Sequence, residues 1–119
     1  MKLNHLDLQV SDVQLLATFL ERHFDLVRLS NDRSPAIAIL HDGAGFTLVI
    51  QRRTDDARYP DGFHIGFIHE AATAVRAHHA RLAEASISTS PIDVNARGTR
   101  FYVTAPGDIL VEVSSPERS

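Results

Sequence analysis

Phe101-Tyr102-Val103-Thr104-Ala105-Pro106-Gly107-Asp108-Ile109-Leu110-Val111-Glu112-Val113 is the stretch that decides how this chain is read. Arg100–Thr104 and Ile109–Val113 both have strand character, and Ala105-Pro106-Gly107-Asp108 between them has the residues of a tight turn, so the segment reads as a hairpin. Successive side chains of a strand point to opposite faces, which separates Glu112 from Ile109, Val111 and Val113. A carboxylate inside an apolar last strand is costly unless a cation or a hydrogen-bond donor receives it. Glu112 is therefore the first candidate for chemistry.

Working outward, Phe63–Ile68 reads as a strand carrying His64, followed by an Ala-rich helix from about Ala71 to Ala85 and a short edge strand within Ser86–Asn95. The same order occurs once before. Leu3–Val10 alternates, with Leu6, Leu8 and Val10 on one face and His5, Asp7 and Gln9 on the other. Ser11, with Gln14 three residues later, has the pattern of a capping box, and Val13, Leu16, Leu20 and Phe24 supply a helical apolar stripe. After a turn-prone stretch from Ser30 to Pro35, Ala36–Leu40 and Phe46–Ile50 read as strands joined by His41-Asp42-Gly43-Ala44-Gly45. Phe46–Val49 aligns with Ile109–Glu112, which pairs Val49 with Glu112 as His5 pairs with His64. A unit of about 60 residues present twice is a duplicated module rather than a solenoid repeat. The expectation is one α+β domain over 1–119, with module one at 1–55, a polar linker over 51–62 and module two at 63–119.

Composition narrows the function classes. Hydrophobic residues at 44% and charged residues at 23% are ordinary for a folded protein. A net charge of −3 gives no basic field for phosphate backbones, so nucleic acid is not an expected partner. With no cysteine, any metal must be held by imidazole and carboxylate. No run approaches the roughly 18 apolar residues of a membrane span, and the N-terminus lacks the apolar core of a signal peptide, so a cytoplasmic protein with no membrane partner is expected.

His5 and His64 occupy equivalent positions in the two modules, and with Glu112 they make two imidazoles and one carboxylate, a set suited to a divalent ion with open positions for substrate oxygen. Asp7 and Gln9 share the face of His5. Thr47 and Gln51 flank Val49, and Arg100 and Tyr102 share one face of the strand beside that of Glu112. These are the candidate binding residues. His78 and His79, adjacent on a helix, and His23, His41 and His69, at element ends, are read as surface or border positions.

The chain resembles the vicinal oxygen chelate superfamily, also called the glyoxalase, bleomycin-resistance and dioxygenase superfamily. The residues that carry the resemblance are Asn4-His5-Leu6-Asp7-Leu8-Gln9-Val10-Ser11-Asp12, Phe63-His64-Ile65-Gly66-Phe67 and the hairpin quoted above. The resemblance implies two βαβββ modules forming a cup-shaped mixed sheet, completed in a homodimer with or without domain swapping. It also implies a divalent metal (Fe, Mn, Zn or Ni) held by His5, His64 and Glu112, with Glu112 the catalytic candidate. The fourth ligand of glyoxalase I falls on Val49, which cannot bind a metal. That departure points to branches with three protein ligands, such as fosfomycin thiol transferases and extradiol dioxygenases. The fit to both is incomplete: the chain ends seven residues after Glu112, without the Arg-bearing extension of the fosfomycin enzymes, it is far shorter than typical two-domain extradiol dioxygenases, and Ala105 replaces the Asp usual in the turn. The function implied is a metal-dependent lyase or isomerase, thiol transferase or dioxygenase acting on a small molecule. The alternative is a bleomycin-resistance-like protein that binds and sequesters an antibiotic or aromatic metabolite without turnover, in which case the metal can be absent.

Overall fold

A computed structural model describes residues 1–30 and 33–119 of the 119-residue chain. The turn expected over Ser30–Pro35 lies partly outside the described residues. The chain divides into two compact units, Met1–Arg58 and Tyr59–Ser119.

The first unit runs β1 (His5–Val10), α1 (Val13–Phe24), β2 (Val27–Arg28), β3 (Ile37–His41) and β4 (Thr47–Arg52). Its sheet has the order β1-β4-β3-β2, with β1 parallel to β4 and the other neighbours antiparallel. Leu8, Val10, Ala38, Leu40, Leu48 and Ile50 face α1, whose Val13, Leu16, Ala17, Leu20 and Phe24 are buried. Helix α1 opens one residue later than the capping-box reading of Ser11 expects. Asp12 takes the extended N-cap conformation and accepts a hydrogen bond from the Leu15 amide at 3.1 Å. Gln14 reaches the Ser34 carbonyl at 2.7 Å instead of turning back to the cap. Strand β2 was not legible in the sequence, since two residues carry no alternation.

The second unit repeats the plan with β5 (His64–Ile68), α2 (Ala72–Glu84), β6 (Asp93–Asn95), β7 (Gly98–Ala105) and β8 (Ile109–Ser115). Its sheet order is β5-β8-β7-β6, again with the first pair parallel. Phe101, Val103, Ile109, Val111 and Val113 are fully or almost fully buried, and α2 packs on β7 and β8 through Val75, His78 and Leu82. The expected edge strand is β6. Each module is thus βαβββ, and the α+β architecture stands.

The internal alignment holds in hydrogen-bond register. His5 lies opposite Thr47 and Asp7 opposite Val49, while His64 lies opposite Leu110 and Gly66 opposite Glu112. On the next strand, Ile39 lies opposite Val49 and Ile37 opposite Gln51, just as Tyr102 lies opposite Glu112 and Arg100 opposite Ser114. Val49 is therefore the structural equivalent of Glu112, and Ile37 and Ile39 are the equivalents of Arg100 and Tyr102.

Of the two helix histidines read as surface or border positions, His78 belongs to the interior of the second module and His79 is a border position. His78 is buried and its Nδ1 lies 3.1 Å from His69 Nε2, with its ring edge-on to Phe101. The half-buried His79 donates from Nε2 to the Ser90 carbonyl at 3.0 Å and also lies edge-on to Phe101. Two neighbouring helix positions straddle the contact line, so a broad helix–sheet interface takes up both rings. His41 ends β3 opposite Thr47 rather than standing in the turn.

Two turns fix the hairpins. Asp42 accepts from the amides of Ala44 at 2.7 Å and Phe46 at 3.0 Å, and these bonds hold its carboxyl below the usual carboxylate range. A carboxyl with a depressed pKa stabilises the fold above its unfolded value, and that contribution is lost as the pH falls through the native value. Replacement of Asp42 by Ala should thus lower the thermal midpoint at neutral pH and flatten its decline on the acid side, as read by calorimetry across pH. Gly98 has φ of 119°, and a Cβ there would lie 1.9 Å from the Ser115 carbonyl oxygen. Gly98→Ala should cost at least about 2 kcal/mol in denaturant unfolding, far more than Gly43→Ala, where a Cβ meets nothing within 4 Å.

Candidate metal and substrate site

Strand alternation leaves each sheet with an open face turned away from its helix. On the first module this face carries His5, Asp7 and Gln9 from β1, Thr47, Val49 and Gln51 from β4, and Ile37, Ile39 and His41 from β3. Gln51 donates from Nε2 to Asp7 Oδ2, so these two candidates are tied to one another. Val49 is half-buried, and Ile37 and Ile39 remain 39% and 37% exposed.

On the second module the open face carries His64 and Gly66 from β5, Leu110, Glu112 and Ser114 from β8, and Arg100 and Tyr102 from β7. Four of the sequence candidates come together here. Glu112 Oε1 accepts from the Tyr102 hydroxyl at 2.6 Å and from Arg100 Nη1 at 3.1 Å. The Arg100 and Glu112 side chains are 9% and 16% exposed, which makes the ion pair largely desolvated and much less screened than a surface pair. The bond to Glu112, with burial adding to it, pushes the Tyr102 phenol above its ordinary value. The His64 ring stands edge-on to Tyr102 with centroids 6.0 Å apart. His64 and Glu112 are diagonal neighbours across the paired strands β5 and β8.

The two histidines are prepared in the same way. His64 Nδ1 lies 2.8 Å from the Gly62 carbonyl oxygen, which can only accept, so Nδ1 carries the proton and Nε2 the lone pair. His5 Nδ1 lies 2.8 Å from Asn4 Oδ1 and is held in the same tautomer. An imidazole that donates its far N–H to an oxygen is the usual form of a metal-bound histidine. Both rings are exposed. Among the described residues, no group of three or more His, Cys, Asp or Glu side chains is gathered to hold a metal. The second module supplies two such donors, His64 and Glu112, and the first supplies one, His5.

Asn4, Gly62 and Gly66 were not singled out in the sequence as functional. Asn4 and Gly62 each stand within two residues of a candidate ligand, which is the signal that could have found them. A phenol whose pKa is raised by a native hydrogen bond stabilises the fold below its unfolded value, about 10, and that contribution disappears as the pH rises through the native value. Tyr102→Phe should therefore abolish part of the loss in thermal midpoint that the wild type shows above about pH 10.

Residues 2–113 match the Glyoxalase/Bleomycin resistance protein/Dioxygenase superfamily. Among solved structures, a possible glyoxalase from Bacillus cereus shares 35% identity and superposes with a TM-score of 0.84, covering 96% of this chain and 98% of that one. A lactoylglutathione lyase from Agrobacterium tumefaciens is 15% identical with a TM-score of 0.79, covering 96% of this chain and 92% of that one. The fosfomycin resistance protein FosX from Listeria monocytogenes is 20% identical with a TM-score of 0.79, covering 97% and 93% of the two chains. No curated protein sequence matches significantly. No helix among the described residues is long and apolar enough to cross a membrane. The family match spans nearly the whole length and the βαβββ plan occurs twice, so this chain belongs to the glyoxalase/bleomycin resistance protein/dioxygenase superfamily.

Proposed function

We propose that this protein is a divalent-metal-dependent enzyme acting on a small substrate, with His5, His64 and Glu112 as the metal ligands. His5 would come from the first module of the same chain or of a second copy in a homodimer. The observation that carries the reading is the matched state of the two histidines: each gives its Nδ1 proton to an oxygen and keeps Nε2 free. Glu112 supports it, since both protein donors go to Oε1 and Oε2 remains for another partner. A FosX structure containing Mn(II) and 1S,2S-dihydroxypropylphosphonic acid, 19% identical to this chain, is further support, because the same fold there accompanies a divalent ion and a small diol.

When bound, the ion would act as a Lewis acid toward vicinal oxygens of the substrate. The chain's own residues do the rest. The bond to Gly62 orients the His64 ring, and Arg100 offsets the carboxylate charge of Glu112. The Tyr102 phenol, whose bond to Glu112 raises it above its ordinary value, is a protonated, fixed hydroxyl beside the site. Asp7, Gln9, Thr47 and Gln51 give the first module's open face the polar groups with which a substrate could be oriented. Val49, in the position equivalent to Glu112, adds no fourth ligand.

A second reading is favoured by the exposed Ile37 and Ile39 on the first module's open face, which would suit sequestration of an apolar or aromatic ligand without turnover. Metal titration separates the two. Calorimetry with Mn(II), Fe(II), Zn(II) and Ni(II) should show at least one ion bound by the wild type. His5→Ala, His64→Ala and Glu112→Ala should each weaken it by tenfold or more. If all four proteins bind every ion equally poorly, the enzyme reading fails. Ligand protection that is indifferent to chelator would then favour sequestration.

A further inference from the structure

We infer that Arg100 and Tyr102 are positioning residues that set Glu112 to offer a single oxygen, Oε2, and that Gly66 is a glycine in order to keep that oxygen open to a ligand. The inference rests on the reading of Glu112 as a metal ligand.

Geometry supplies the first argument. A carboxylate has two oxygens, and the one engaged here accepts both a phenol O–H at 2.6 Å and a guanidinium N–H at 3.1 Å. Donors from two adjacent residues of the same strand face, meeting on one oxygen, fix the rotamer of Glu112. They also disfavour two-oxygen coordination, which would require Oε1 to be shared with the ion.

The second argument comes from Gly66. It lies opposite Glu112, and a Cβ there would stand 3.8 Å from Glu112 Oε2. Its backbone is not left-handed, so nothing in the chain path of β5 demands glycine. Glycine within a strand gives up β propensity and packing, and marks a place where something else approaches closely. The equivalent residue in the first module is Asp7.

The duplicated module supplies a control from within the same chain. At the positions of Arg100, Tyr102 and Glu112 the first module has Ile37, Ile39 and Val49, and it builds the same four-stranded sheet in the same register. The polar trio is thus not a requirement of the fold. It is also costly: the Arg100 side chain is more than nine-tenths buried, and its Nε is buried with no hydrogen-bond partner among the described residues. A buried ion pair of this kind is commonly no more stable than apolar residues of similar volume. Its presence in one module only, around Glu112, both of whose donors go to Oε1, is accounted for by a role in holding Oε2.

The test is Mn(II) titration of the full-length protein, with Co(II) visible absorption as the readout of coordination geometry and thermal unfolding as the control for folding. Arg100→Met and Tyr102→Phe should each weaken Mn(II) binding about tenfold, and Arg100→Met should unfold at or above the wild-type midpoint. Their combined effect should fall short of the sum, because both act through Oε1. Both should alter the Co(II) spectrum. Gly66→Val, which keeps the trio intact and raises strand propensity, should preserve or raise stability while weakening Mn(II) binding. The inference is overturned if Arg100→Met, Tyr102→Phe and Gly66→Val bind Mn(II) as tightly as the wild type or tighter while Glu112→Gln is weakened. If Glu112→Gln itself binds unchanged, the metal reading falls and takes this inference with it.

Discussion

The carboxylate of Glu112 sits in β8, an interior strand, between two fully buried valines, and the pleat turns it to the face opposite theirs. A charge so placed loses much of its hydration and must recover it from neighbours. Tyr102 and Arg100 provide that recovery for one oxygen, and each brings its own cost: a phenol that resists ionisation and a guanidinium with a buried, unpaired Nε. The side chains that β5, β7 and β8 turn toward this group differ accordingly from their equivalents in the first module. β7 brings two donors to one side, and β5 presents Gly66 directly opposite.

Duplication has produced two sheets of one design with different open faces. In each, a histidine at the start of the parallel edge strand gives its Nδ1 proton to an oxygen from a residue one or two positions earlier. Beyond that shared feature the modules diverge, one toward isoleucine and valine with an Asp7–Gln51 pair, the other toward an ionic and phenolic cluster. The helix-facing sides remain alike, apolar and buried, because a βαβββ unit needs that surface to fold. Divergence has accumulated where the fold does not depend on it.

Much of this was legible in the sequence because the period of two in β1, β5, β7 and β8 is strong and the hairpin around Pro106-Gly107 is well marked. Hydrogen-bond register agrees with the alignment of Val49 on Glu112. Strand β2 was not legible, being two residues long. The start of α1 was misplaced by one residue, since Ser11 and Asp12 are both good caps and only the backbone conformation decides between them. His78 was misread because α2 has few large apolar residues, chiefly Val75 and Leu82, so the helix carries no stripe sharp enough to show which of two neighbouring histidines packs inward. The pairing of Arg100 and Tyr102 with Glu112 was visible only as shared strand face. That both donors choose the same oxygen is a matter of side-chain rotamers, which no periodicity encodes.

The claim on which the rest turns is that two imidazoles and one carboxylate, contributed by both modules, surround a common ion. Anomalous scattering from a crystal of the Mn(II)-loaded protein measures this directly. The account predicts one strong peak about 2.0–2.3 Å from His5 Nε2, His64 Nε2 and Glu112 Oε2, with His5 drawn from either copy of a homodimer. A peak bound elsewhere, or the three atoms too far apart to share an ion in every pairing of subunits, would contradict it.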